Sequence, residues 1–161
     1  MSLAFEAMQF ARNVHANHRR KYTNAPYTDH LAEVAGIVAT VIQNESAIAV
    51  AWLHDCVEDQ NVTEEELRTL FGEPVATGVM LLSDMEEGNR ATRKRLSRER
   101  LAAAPGWVQT IKCADLISNT TSIVQFDPAF ARVYLEEKRL LLEVMKDADR
   151  RLWKMAAVYC R

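Results

Sequence analysis

Apolar residues recur at three- and four-residue steps along almost the whole chain, and strand-like alternation persists nowhere. The pattern predicts a first helix from about Leu3 to His18, with Ala4, Met8, Ala11 and His15 on one face. A polar loop, Arg19 to Pro26, follows; Pro26 biases its predecessor away from helix. A second helix starts near Thr28 or Asp29 and carries His30 in its first turn, above a stripe of Leu31, Val34, Ala35, Val38 and Ile42. The third starts near Ser46 and is apolar on most sides through Leu53, which places it centrally in the fold. It ends in the cluster His54 to Asp59.

Downstream punctuation is local. Thr63-Glu64-Glu65-Glu66 is a capping box opening a short helix to about Phe71. Gly72-Glu73-Pro74 breaks that helix, and Pro74 suits the first position of the next. Glu86 to Asn89 reads as a loop, Arg90 to Arg100 as a basic helix-permitting segment, and Ala104-Pro105-Gly106 as a stop. Val108, Ile111, Ala114, Leu116 and Ile117 mark another helix, which carries Asp115 and Asn119. Asp127-Pro128 caps a long helix through Val144, and Leu152, Trp153 and Met155 suggest a last short one. The expectation is one all-α domain over residues 1–161.

Composition narrows the class. The formal net charge is −2, so nothing global asks for nucleic acid or an anionic membrane. No apolar run reaches the ~20 residues that span a bilayer. The N-terminus lacks the basic and apolar regions of a signal peptide. Three scattered cysteines form neither a disulfide framework nor a metal-type Cys-x-x-Cys spacing. A soluble, reduced, cytoplasmic protein is expected. Its oligomeric state is not legible.

The chemistry concentrates at His54-Asp55, with Glu58 and Asp59 one helical turn on. At ~100° per residue, the four fall within roughly 140° of a helical wheel. His30 lies upstream and Asp115 downstream. Burying carboxylates at the end of so apolar a helix is costly without a metal or partners. Two imidazoles and two carboxylates suit Mn, Fe, Co, Ni or Zn and leave positions for water and substrate. On periodicity alone, a solvated helix end with a satisfied histidine stays open. His15 and His18 take that plainer reading, since no carboxylate partner for them is evident.

Several stretches together resemble the HD superfamily of metal-dependent phosphohydrolases, and within it the hydrolase domain of RelA/SpoT-type alarmone enzymes, especially the small stand-alone hydrolases. They are Arg20-Lys21, Pro26-Tyr27-Thr28-Asp29-His30, Leu53-His54-Asp55-Cys56-Val57-Glu58-Asp59, Phe71-Gly72, and Lys112-Cys113-Ala114-Asp115-Leu116-Ile117-Ser118-Asn119. The resemblance implies metal ligands at His30, His54, Asp55 and Asp115, with manganese as the usual ion. It implies a water-activating pair at Glu58 and Asp59, and substrate contacts at Arg20, Lys21 and Asn119. Tyr134 falls near a nucleotide-contacting tyrosine of the family.

The implied reaction is hydrolysis of guanosine 3′,5′-bis-diphosphate, or its pentaphosphate relative, to pyrophosphate and GDP or GTP, by a stand-alone hydrolase without synthetase activity. The expected partner is thus a small-molecule nucleotide. Two rivals stand beside this: an HD-type phosphatase acting on NADPH or a deoxynucleotide, and a non-catalytic nucleotide-sensing module. Leu116 stands where many relatives carry Lys or Arg, and Asn17-His18 where Gly-Gln is common. The basic residues Arg90, Arg93, Lys94, Arg95, Arg98 and Arg100 form either a phosphate-steering edge or a solvated helix face.

Overall fold

Each helix of the chain begins where a short polar side chain or a proline can serve its first turn. The computed structural model describes residues 1–161 as ten helices without a strand. They are α1 (Leu3–Val14), α2 (Tyr27–Ala39), α3 (Glu45–Leu53), α4 (Cys56–Gln60), α5 (Glu64–Phe71), α6 (Glu73–Leu82), α7 (Arg90–Ala102), α8 (Gly106–Phe126), α9 (Pro128–Val144) and α10 (Arg150–Tyr159). Ser2, Asn44, Thr63, Asn89, Asp127 and Asp149 each accept a backbone N–H at a helix start, which satisfies donors that have no intrahelical partner. The all-α expectation holds, and no helix is long and apolar enough to cross a membrane.

Boundaries shift in instructive ways. α1 stops at Val14 rather than His18, because His15 leaves helical geometry; its N–H still closes on Ala11 O, while the next N–H, of Ala16, turns back to Asn13 O. Ile42 lies beyond the end of α2. Pro74 occupies the second position of α6, after Glu73. The third helix does not run through the His54–Asp59 cluster. It ends at His54, and Asp55 (φ −102°, ψ −1°) opens the separate five-residue α4.

The chain forms two compact units, Met1–Ser83 and Asp84–Arg161. In the first, α3 packs against α1, α2 and α6. Ala47, Ala49, Val50, Ala51 and Leu53 are essentially inaccessible, as are Ala7 and Ala11 of α1. Small residues on α1 and α3 let the two backbones approach closely, so α3 is buried all round as its composition predicts. Burying six side chains of one nine-residue helix fixes its C-terminal end, and with it the position of His54.

In the second unit α8 packs on α9 and α10, and α7 on α9. Buried Gln109 ties three segments together. Its amide donates to Leu101 O at 2.9 Å and Ala104 O at 3.3 Å, while its Oε1 accepts from Asp147 N at 2.9 Å. Nearby, a Cβ on Gly106 would collide with Asp147 O, so only glycine fits. Cys56, Cys113 and Cys160 are all free and buried.

Gln109→Leu leaves these backbone groups without partners, at about 1–3 kcal/mol for each that stays buried. Equilibrium urea unfolding should show a loss of about 2 kcal/mol or more; an unchanged midpoint would remove Gln109 from this role.

Candidate metal centre

The first unit assembles its polar site from three helix ends. His30 comes from the first turn of α2, His54 from the end of α3 and Asp55 from the step into α4. His30 and His54 are 1% and 2% exposed. Their Nε2 atoms lie 3.5 Å and 3.0 Å from the same carboxylate oxygen, Asp55 Oδ2. His54 Nδ1 sits 2.7 Å from Ala51 O. A carbonyl only accepts, so this nitrogen carries the proton and donates to it. Ala51 O is one of the last carbonyls of α3, which have no intrahelical partner.

That bond sets the chemistry of the other face. With the proton on Nδ1, neutral His54 points its Nε2 lone pair at a carboxylate oxygen. Two lone pairs at 3.0 Å repel unless a proton or metal ion stands between them. Two neutral imidazoles and a carboxylate within 4.8 Å of one another, one already oriented by a backbone carbonyl, form a donor set that suits a divalent transition metal. The residues therefore fit the ion that the pattern implies.

Tyr27 was missed as a site residue. Its hydroxyl donates to Asp55 Oδ2 at 2.7 Å and helps to favour the ionised form of Asp59. The ring is stacked on His18 at 3.8 Å between centroids and lies edge-on to His30 at 5.3 Å. His15 stacks on both His18 and Tyr27, and one imidazole donates to the other across a 3.0 Å Nδ1–Nδ1 contact. All four histidines of the chain thus belong to one array. His15 and His18 contact each other and the Tyr27 ring, and the charge of Asp55 only opposes the fall of the His15 pKa. The i, i+3 spacings His15/His18 and Tyr27/His30 were the available signal.

Glu58 and Asp59 follow on α4, both exposed as residues. Burial of its carboxyl and the charge of Asp55 raise the pKa of Asp59, against the opposing pull of His18, His54 and Tyr27. Arg20 and Lys21 lie in the loop before α2. Arg20 N–H donates to Ala25 O at 2.9 Å, closing the turn that leads to Tyr27. Lys21 is exposed, with its ammonium 5.1 Å from the Tyr22 ring centroid.

In the second unit Asp115 is 6% exposed on α8. Lys112 Nζ donates to its Oδ2 and Asn119 Nδ2 to its Oδ1, each at 2.8 Å. Asn119 therefore orients a carboxylate here, and Lys112 joins it as a residue that the sequence reading left unassigned. Both lie within one helical turn of Asp115, a spacing that could have pointed to them. Leu116 is 1% exposed and part of the core. Tyr134 is buried, its hydroxyl 3.4 Å from Thr120 Oγ1.

An all-α fold with buried histidines around an aspartate that directly follows one of them defines a histidine–aspartate metal protein. The HD domain family matches residues 7–107, and the chain belongs to that family. Among curated proteins it is similar to the guanosine-3′,5′-bis(diphosphate) 3′-pyrophosphohydrolase MESH1 of Drosophila melanogaster, 34% identical over 71% of this chain and 65% of that one. The Xenopus tropicalis protein of the same name is 32% identical over 79% and 73%. A probable guanosine-3′,5′-bis(diphosphate) 3′-pyrophosphohydrolase of Synechocystis is 31% identical over 85% of this chain but only 19% of its own length. The chain thus spans just under two thirds of the Drosophila protein and about a fifth of the Synechocystis one. A solved structure of a metazoan SpoT ortholog, described as hydrolysing ppGpp, superposes with a TM-score of 0.89 at 25% identity, covering 99% of this chain and 94% of that one. A Listeria monocytogenes protein shares the fold, with a TM-score of 0.72 at 21% identity over 86% and 96%.

Asp55→Asn should lose the ion, and Tyr27→Phe, which only frees the ligand's orientation, should weaken binding by about 10-fold or more. Metal titration of the apoprotein checks both; equal affinity across the three proteins would sink this assignment of the centre.

His15 generates a pH effect. Burial is the main reason its pKa falls to about 4, with His18, His54 and His30 adding to the fall and Asp55 opposing it. Its Nε2 is buried without a hydrogen-bond partner. From pH 6.5 down to 4 the unfolded chain therefore binds a proton that the folded one refuses, and stability drains away over that window. For the apoprotein, His15→Leu should flatten the pH dependence of unfolding there by up to about 3 kcal/mol. Parallel curves for variant and wild type would show that His15 charges freely in the fold.

Proposed function

We propose that the chain is a metal-dependent phosphohydrolase that hydrolyses guanosine 3′,5′-bis-diphosphate at its 3′-diphosphate. The single observation that carries this reading is the convergence of Tyr27, His30 and His54 on Asp55 Oδ2, with two further carboxylates one turn along. The names of its relatives supply the substrate. The family resemblance adds Asp115 of α8 as a ligand, and Lys112 and Asn119 fix its two oxygens on that helix. The whole chain then works as one phosphohydrolase domain. The ion is manganese, which carboxylate and imidazole ligands suit. Three free buried thiols fit a reducing, cytoplasmic setting.

A divalent ion held by these residues makes water more acidic and neutralises charge on phosphate oxygens. The chain's own residues do the rest. Asp59, whose pKa is raised by burial and by the charge of Asp55, accepts the proton of the attacking water, and Glu58 beside it orients that water. The water oxygen bonds to the phosphorus attached to the 3′ oxygen. The bond from that phosphorus to the 3′ oxygen breaks, pyrophosphate departs and the 3′ oxygen takes up a proton. Arg20 offers a forked donor and Lys21 a point charge to the phosphates.

The test is a substrate panel with Mn²⁺ containing the tetraphosphate alarmone, NADPH and deoxynucleotides. Pyrophosphate released from the alarmone is expected; orthophosphate from NADPH or a deoxynucleotide, with the alarmone untouched, overturns the substrate. Glu58→Ala combined with Asp59→Ala should lower kcat by 10²-fold or more with metal content unchanged. Wild-type turnover in that variant would remove the pair from the mechanism.

A further inference from the structure

The basic segment before α8 divides into two functional halves. Arg90 donates to both oxygens of Glu137, at 2.6 and 2.9 Å. Arg95 pairs with Glu99 at 2.8 Å, and Arg100 pairs with Asp84 and with Glu86. These three arginines are neutralised. Lys94 and Arg98, four residues apart on one face of α7, line a cleft inside the second unit instead. Lys112 of α8 and Glu137 and Lys138 of α9 complete its wall, and Asp84 faces it.

The charges of that cleft do not balance. Its two carboxylates are already taken, Glu137 by Arg90 and Asp84 by Arg100 and the Ser97 hydroxyl. Lys112 is committed to Asp115. Lys94 makes one long ion pair, 4.0 Å to Asp84 Oδ2, while Arg100 and Ser97 engage the other oxygen of that carboxylate. Lys138 makes no hydrogen bond or ion pair, and its ammonium lies 5.0 Å from the Tyr134 ring centroid. Burial, followed by the like charges of Lys112 and Lys94, pushes its pKa down to about 7. A buried ammonium with like charges beside it is costly to fold around unless an anion relieves it.

We propose that this cleft is a phosphoryl-binding subsite, in which Lys94, Arg98 and Lys138 hold a phosphate or diphosphate group. Three cations lacking a full partner call for an anion of two or more charges, which a carboxylate does not supply. A guanidinium fork beside two ammonium point charges matches phosphoryl oxygens. The assignment deepens the function proposed above and, for a nucleotide source, rests on it: a guanosine bearing two diphosphates carries one away from the bond that breaks. A free phosphate or pyrophosphate ion presents the same chemistry.

Calorimetric titration of the metal-free protein with inorganic pyrophosphate tests the site without the metal centre. Wild type should bind, and Lys138→Met and Lys94→Met should each weaken binding by about tenfold or more, as for a lost charge-assisted hydrogen bond. Lys138→Arg should recover part of the loss. Since Lys138→Met removes a desolvated amine, its Tm at pH 6 should equal or exceed that of wild type, which a merely structural lysine would not allow. Absence of pyrophosphate binding to wild type, or equal affinity in both methionine variants, overturns the proposal. Turnover separates the two sources. A fivefold or greater rise in KM for the alarmone in Lys138→Met places the substrate's own phosphoryl group in the cleft, whereas an unchanged KM with pyrophosphate affinity lost leaves a free ion there. Should no nucleotide be turned over, the proposed activity fails while the pyrophosphate titration still decides the cleft.

Discussion

One oxygen atom, Asp55 Oδ2, organises the first unit. A tyrosine hydroxyl and two imidazole nitrogens converge on it from 2.7 to 3.5 Å, which concentrates polar atoms where the surrounding chain is almost wholly apolar. Such a cluster is tolerable only if each group is oriented and the charge is compensated. The orientation comes from ordinary helix chemistry. His54 satisfies an end carbonyl of α3, and Tyr27 begins α2 one turn before His30, so that both face the same way. The burial of α3 then makes the position of Asp55 rigid, since moving it would drag a fully packed helix.

The elements were legible wherever their ends depend on neighbours in sequence. Thr63 does accept from Glu66 N, and Asp127 and Asn89 cap as their side chains dictate. What was not legible depends on contacts between helices. The break between α3 and α4 is one case. A continuous wheel groups the acidic residues correctly but misses that His54 turns back onto Ala51 O while Asp55 starts a new segment. The histidines of α1 are another. The i, i+3 spacing pairs His15 with His18, but nothing local shows that Tyr27, from later in the chain, stacks on both. The resemblance assigns Asn119 to the substrate, and its four-residue spacing from Asp115 also gives it a carboxylate partner on its own helix.

The second unit illustrates how charge can be legible in number and illegible in use. Counting arginines and lysines between Arg90 and Arg100 suggests either steering or a solvated face. In the fold, each alternative applies to different residues of the same helix. Three arginines find carboxylates and become structural, while Lys94 and Arg98 line the cleft that also holds Lys112 and Lys138. The carboxylates of Asp84 and Glu137 stay below their ordinary pKa range despite burial, so they remain ionised and offset part of the lysines' charge, but two carboxylates are shared among more cations than they can neutralise. Electrostatic strain of this kind lowers stability and persists where activity rewards it.

The buried cysteines have a use of a different kind. Burial pushes the thiols of Cys56 and Cys113 up to about 12, so at neutral pH almost none is thiolate, and thiolate is the species that alkylating reagents attack. Cys56 is the residue immediately after Asp55, and Cys113 stands between Lys112 and Asp115 on α8. Each thiol becomes reactive only when its own segment opens to solvent. The native chain therefore carries two chemical clocks, one in each unit, whose labelling rates time the local breathing of the residues around Asp55 and Asp115 separately.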